Sequence, residues 1–190
     1  MRIVICLCAC MVLIGCASAL QNKNGMPLAR MTFDHLIAYP LDVASYDVIA
    51  LGAPLVVPTG FIVNPADLSF EYLSKRFKAD GFQGKLVAEI QSVAVVHDVV
   101  NSSNSFGSML GVDKQDHYTV DIVVSLSAIG LPTYDSKTTT LKARREIYIS
   151  EHTSLVEREE HQMRAVDALI NDLDQSIQSV LATEFGVFRR

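Results

Sequence analysis

Four cysteines stand in the first sixteen residues, at positions 6, 8, 10 and 16, and none follows. A thiol can pair in a disulfide, fill a core as a small hydrophobe, or carry an attached group. For Cys16 the surroundings favour attachment. The chain opens MRIVICLCACMVLIGC, with Arg2 ahead of an apolar run from Ile3 to Leu13 and small residues after it. Charge, then grease, then small side chains is the layout of a secretory signal. At about eleven apolar residues the run is shorter than the ~20 of a spanning helix. Residues 1–15 are therefore expected to be a signal peptide, with Cys6, Cys8 and Cys10 lost along with it. A mature chain that keeps only Cys16 has no disulfide to make, although the compartment permits one.

Other reactive residues show no catalytic pattern. The histidines, His35, His97, His117, His152 and His161, fall in no HxxxH arrangement, and no CxxC is present, so spacing gives no support for a metal. No G-x-S-x-G, Walker or G-x-G-x-x-G motif occurs, and Ser102, Ser103 and Ser105 belong to a polar loop. The expectation is a protein without enzymatic activity, cofactor or metal. The acid pairs Glu159–Glu160 and Asp172–Asp174 are expected on the solvent side of the last helix, where Glu160 and Arg164 make a helix-stabilising i,i+4 pair. Arg144 and Arg145 are neighbours on a strand and must face opposite ways. One of them points to the helical layer, where it reaches the sheet edge, pairs with a helix acid or holds an anion.

Removing residues 1–15 from the 190 leaves 175, which suits one domain and a tether. The formal charge is −5, about −6 without Arg2, and no basic run is present. Nucleic acid is thus an unsuitable partner.

Residues 16–36 are expected to form the modified N-terminus and a flexible tether, and 37–190 a single domain. VASYDVIAL at 43–51 is rich in β-branched residues and predicts a strand. In NPADLSFEYLSKRFKADG, Asn64 is a natural N-cap, Pro65 suits the first helical position and Gly81 supplies a stop. Leu86, Ala88, Ile90, Ala94 and Val96 alternate with Lys85, Glu89 and Gln91, the period of a half-buried strand. The clearest strand follows: Tyr118, Val120, Ile122, Val124, Leu126 and Ala128 share one face. After a turn at 130–136, KTTTLKARREIYI returns as a long strand. SLVE then forms a capping box, Ser154 with Glu157. Met163, Val166, Ile170, Leu173, Ile177 and Val180 make an apolar stripe along a helix of roughly 40 Å, close to the ~45 Å of a fourteen-residue strand.

The order is β-α-β-β-β-α. The expected fold is α+β, a two-layer sandwich of one four-stranded mixed sheet with two helices on one face. Chain direction then puts the loops at 52–63 and 101–116 at one end, away from the tether. Phe61, Ile62, Phe106, Met109 and Leu110 in those loops either form a docking patch for a partner or fold back to cap the core.

Leu13-Ile14-Gly15-Cys16 resembles the lipobox of bacterial lipoproteins. The resemblance implies diacylglycerol on the Cys16 sulfur, cleavage before that residue, and a membrane anchor of two or three acyl chains. Ala17 and Ser18, with no aspartate after the cysteine, imply the outer membrane with the domain in the periplasm, the inner membrane's periplasmic face being the alternative. The body, through SLVEREEHQMRAVDALINDLD, is similar to a family of Gram-negative envelope lipoproteins. Its element order resembles the LptE-type LPS-assembly lipoproteins and the auxiliary lipoproteins of ABC-type lipid transporters. These resemblances imply a non-catalytic accessory of envelope assembly or lipid transport. Its partner would be an outer-membrane barrel, a transporter component or a lipid. A structural envelope lipoprotein and an envelope hydrolase are the rival readings.

Overall fold

The computed structural model describes residues 31–50, 52–101 and 114–188. In chain order the elements are β1 (Tyr39–Leu41), β2 (Ser45–Ile49), α1 (Pro65–Arg76), β3 (Phe77–Ala79), β4 (Lys85–Asn101), β5 (Lys114–Leu131), β6 (Tyr134–Ser150) and α2 (Leu155–Val180). A π-helical turn at Leu181–Phe185 closes α2. The main sheet has the order β2-β4-β5-β6. β2 runs parallel to β4, and the two long hairpins β4-β5 and β5-β6 are antiparallel. Both helices cover one face, so the α+β sandwich is the observed fold. β1 and β3 add a small parallel pair that the hydrophobic pattern does not reveal.

The caps form as their residues dictate. Asn64 Oδ1 accepts from the backbone N–H groups of Ala66 and Asp67 at 3.0 and 3.4 Å, with Pro65 next. At α2, Ser154 Oγ accepts from the Glu157 N–H while the Glu157 carboxylate accepts from the Ser154 N–H. These bonds occupy orphan donors that a helix start otherwise exposes.

α1 stops at Arg76, however, and not at Gly81. The reason is tertiary. Phe77 turns into β3 and is buried among the rings of Tyr39, Tyr46 and Tyr72, which outweighs another helical turn. Gly81 instead permits a close approach, because the chain passes so near there that a Cβ would lie 2.5 Å from the backbone of Asp42 and Val43.

The alternation expected for β4 also breaks. Its pairing with β5 slips between Ile90 and Ser92, a bulge that inverts which face each later residue takes. Leu86, Ala88 and Ile90 are buried as expected, but beyond the bulge Val93 and Val95 point inward and Ala94 and Val96 outward. β5 keeps its phase throughout, with Tyr118, Val120, Ile122, Val124, Leu126 and Ala128 all 2 % exposed or less. α2 lays Val166, Leu169, Ile170, Leu173, Ile177 and Val180 into this core, whereas Met163 is only partly buried. Phe33, within the stretch expected as tether, meets the Tyr72 ring edge-on and belongs to the core.

Gly81→Ala is expected to destabilise the domain by about 1–3 kcal/mol, the usual cost of overpacking. Gly52→Ala, with nothing within 4 Å of the added Cβ, should change stability little. Urea titration of both variants checks the contrast.

Candidate functional site

With β4 taken as ascending, the parallel β2 ascends, α1 descends, and β6 ascends again into the turn before α2. One end of the sandwich, the upper one, therefore gathers residues 61–63, the end of β4, the start of β5 and the first turns of α2. The lower end holds β1, β3 and the close of α1. Of the sequence-derived interface residues, Phe61 and Ile62 lie at the upper end. Phe106, Met109, Leu110 and Cys16 fall outside the described residues.

Phe61 is 4 % exposed, its ring 5.2 Å from that of Tyr118. It closes the core rather than facing a partner. Ile62 is 53 % exposed. Between them runs a latch. Gln162 is 1 % exposed, and its amide accepts from the Ile62 N–H at 2.9 Å and donates to the Gly60 carbonyl at 2.8 Å. One side chain thus holds the 60–62 backbone to α2, and both backbone groups lose their partner if it is cut away. The sequence carries a trace of this: Gln162 stands four residues before Val166, on the apolar stripe, where a polar side chain needs a reason.

A second cluster fixes the strand ends behind the latch. His97 stacks on Tyr118, centroids 4.6 Å apart, and its Nε2 lies 2.8 Å from Asp116 Oδ1. Asp116 Oδ2 accepts from Arg158 on α2, and Arg158 also donates to the carbonyls of Ser150 and Thr153. Burial pushes the Asp116 carboxyl upward, but the hydrogen bonds from Arg158 and His97 outweigh it and hold its pKa below the usual range. This network joins β4, β5, the β6–α2 turn and α2 and is structural in character. Among the described residues no group of three or more His, Cys, Asp or Glu is placed to hold a metal.

The upper end also carries exposed apolar side chains. Val99, Tyr148, Leu155 and Val156 are exposed by 58, 51, 80 and 67 % and share the upper end with Ile62. Sequence pattern does not single out these four, because each stands where its element expects an ordinary position: a strand end, or the first turn of a capped helix.

Of the acid pairs on α2, Glu160 and Asp172 are exposed as expected and Asp174 departs from expectation. Asp174 does not face solvent: it accepts from Tyr72 and pairs with Arg76 at 3.1 Å, tying α2 to α1. Burial first, then the bond to Asp174, pushes the Tyr72 phenol well above the ordinary tyrosine range, so it stays a donor. Arg76 also donates to the Ile37 carbonyl and lies 4.0 Å over the Tyr39 ring. Asp172 pairs with Arg145, which is the arginine facing the helical layer, while Arg144 meets Asp121 on the open sheet face. Glu160 and Arg164 approach to 3.9 Å.

Gln162→Ala leaves the Ile62 N–H and the Gly60 carbonyl unpaired, and should cost about 1–3 kcal/mol. Amide exchange at Ile62 should accelerate more than exchange in β5. A lowered folded-state pKa means that Asp116 stabilises the native state above its unfolded pKa of about 4, and that this contribution fades as pH falls through the folded value. The stability gap between the wild type and Asp116→Asn should therefore be full at pH 6 and close progressively in acid, which urea titrations across pH measure.

No family model matches the sequence, and no curated protein matches it. Among solved structures, the chain is similar to a minor lipoprotein from Acinetobacter baumannii at 12 % identity and a TM-score of 0.40, covering 75 % of this chain and 92 % of that one. It is also similar to a neuraminyllactose-binding hemagglutinin homolog from Helicobacter pylori at 11 % identity and a TM-score of 0.43, covering 82 % of this chain and 94 % of that one.

Proposed function

We propose that this chain is a lipid-anchored envelope protein, attached through Cys16 to the outer membrane. Its folded part would be a non-catalytic accessory that binds a protein or lipid partner in envelope assembly or lipid transport. The observation that carries the reading is the N-terminal pattern itself, an apolar run ending in Leu13-Ile14-Gly15-Cys16. A sulfur with two or more acyl chains holds a protein at a bilayer durably, where a single chain does not. No helix of the described residues is long and apolar enough to cross a membrane.

The domain's shape suits an anchored binder. Its described chain starts at the lower end, where Phe33 packs on Tyr72 and Asp34 pairs with Lys75 in the last turn of α1. Five exposed apolar side chains, Ile62, Val99, Tyr148, Leu155 and Val156, occupy the upper end, while others, Ile37 and Phe82 among them, lie elsewhere. Apolar groups gathered at one end of a domain are a feature of partner-binding surfaces. The latch and the Asp116 network hold the backbone beneath Ile62 and Leu155 in place, so little ordering remains to be done when a partner arrives.

Cys16→Ser should lose the acyl mass from the intact protein and release it from washed membranes. An unmodified Cys16 in the natural protein would contradict the anchor. The wild-type chain should co-purify with a partner in detergent, and replacing Ile62, Leu155 and Val156 together with serine should abolish that capture, with the melting temperature shifted by only about 1–2 °C, as for surface changes of a few tenths of a kcal/mol. Undiminished capture would remove the upper end from the proposal.

A further inference from the structure

β6 is the last strand of the sheet, and among the described residues no strand pairs with its outer side. An unpaired strand edge offers a row of backbone donors and acceptors to any extended chain. Here the edge is bordered by a long seam against α2. Its upper part, about 390 Å³, is lined by Arg145, Ile147, Tyr148, His161, Arg164 and Ala165, among others. Its lower part, about 550 Å³, is lined by Leu141, Asp172, Gln175, Ser176, Ser179 and Val180. The two parts meet at the Arg145–Asp172 pair.

Helix geometry makes the seam straight. His161, Ala165, Ala168, Asp172, Gln175 and Ser179 recur at steps of three and four, a single line along α2. From His161 to Val180 that line runs about 28 Å at ~1.5 Å per residue. An extended chain of about eight residues covers the same distance at ~3.3 Å each. Small side chains at 165 and 168 keep the seam open. An open surface groove beside an unpaired strand edge suits an extended segment.

The charges select the kind of segment. Among the described residues Arg145 makes one hydrogen bond, from Nη2 to Asp172, and its Nε is enclosed without a partner. A guanidinium has five N–H donors, so this one is far from satisfied. Among the described residues Arg164 has the 3.9 Å approach to Glu160, and His161 is exposed beside it, near Glu157. Glu146, the acid lining the upper part, already accepts from Tyr148 and lies near His117. β6 itself carries Lys137, Lys142, Arg144 and Arg145 against Asp135 and Glu146 in a chain of net charge −5. A second copy pairing edge to edge would set these like charges together. Residues 17–30 of this chain, with Lys23 and Arg30 and no acid, are equally unsuited.

We infer that the β6 edge is a strand-addition site for an extended, acidic segment of a partner polypeptide. Backbone bonds to β6 would supply affinity, and a carboxylate taken by Arg145, Arg164 and His161 would supply register and selectivity. The site adjoins the apolar upper end at Tyr148 and stands whether or not the membrane assignment does.

The test uses the full chain purified in detergent, with a capped decapeptide of alternating valine and glutamate as probe and its valine–lysine counterpart as control. The glutamate peptide should bind with saturation, slow amide exchange in residues 141–148, and lose at least tenfold in affinity on Arg164→Glu, whose exposed position leaves folding intact. Four results would each overturn the inference: no saturable binding, equal binding of the lysine peptide, protection in β4 without β6, or unchanged affinity in the variant.

Discussion

The structure depends on one burial above all, that of the inner face of the sheet, with β5 at its centre, beneath a helical layer in which α2 lies closest to β6. Six consecutive alternate residues from Tyr118 to Ala128 are almost wholly removed from water, and Val166, Leu169, Ile170, Leu173 and Ile177 supply much of the opposing surface. Each large apolar side chain so buried contributes on the order of 1.5–3 kcal/mol relative to exposure. α2 gains little from an isolated existence, because its polar and apolar residues are segregated and most helical stability in such a case comes from packing. Strand and helix are each other's support.

That dependence explains the arrangement of everything else. Because α2 is bound to the sheet, Gln162 and Arg158 on its first turns have fixed positions from which to hold residues 60–62 and the ends of β5 and β6. Because α2 is long, it reaches past the apolar centre to meet α1 through Asp174, Tyr72 and Arg76. At the lower end the aromatic group of Tyr39, Phe77 and Phe188 seals the sandwich where the sheet has run out. Both helices are committed to one face, which leaves the other sheet face and the outer edge of β6 open to solvent. This architecture leaves surface at the upper end and along the seam that its own folding does not consume.

Much of this was legible in the residues, for identifiable reasons. Period-two alternation in β5 and period-3.6 recurrence in α2 are dictated by water, so they survive in sequence. Asn64-Pro65 and Ser154 with Glu157 are local chemistry and read directly. What failed to show depends on distant partners. The bulge at Gln91 reverses the facing of Val93 through Val96, and only pairing with β5 reveals it. β3 arises where the local pattern continues a helix, because Phe77 finds three tyrosine rings from elsewhere in the chain. Asp174 looks like a solvated acid until Tyr72 and Arg76 arrive from α1. Phe61 and Ile62 share the upper end but differ in burial, since adjacent residues in an irregular segment carry no period by which to separate inward from outward. The proposal of an anchor at Cys16 rests wholly on sequence pattern.

Native-state hydrogen exchange tests the central burial most directly. If β5 and α2 stabilise one another, the slowest amides of Val120–Leu126 and of Val166–Ile177 should open with a single free energy, equal to that of global unfolding. Exchange of the α2 amides through an opening that leaves β5 protected would contradict it.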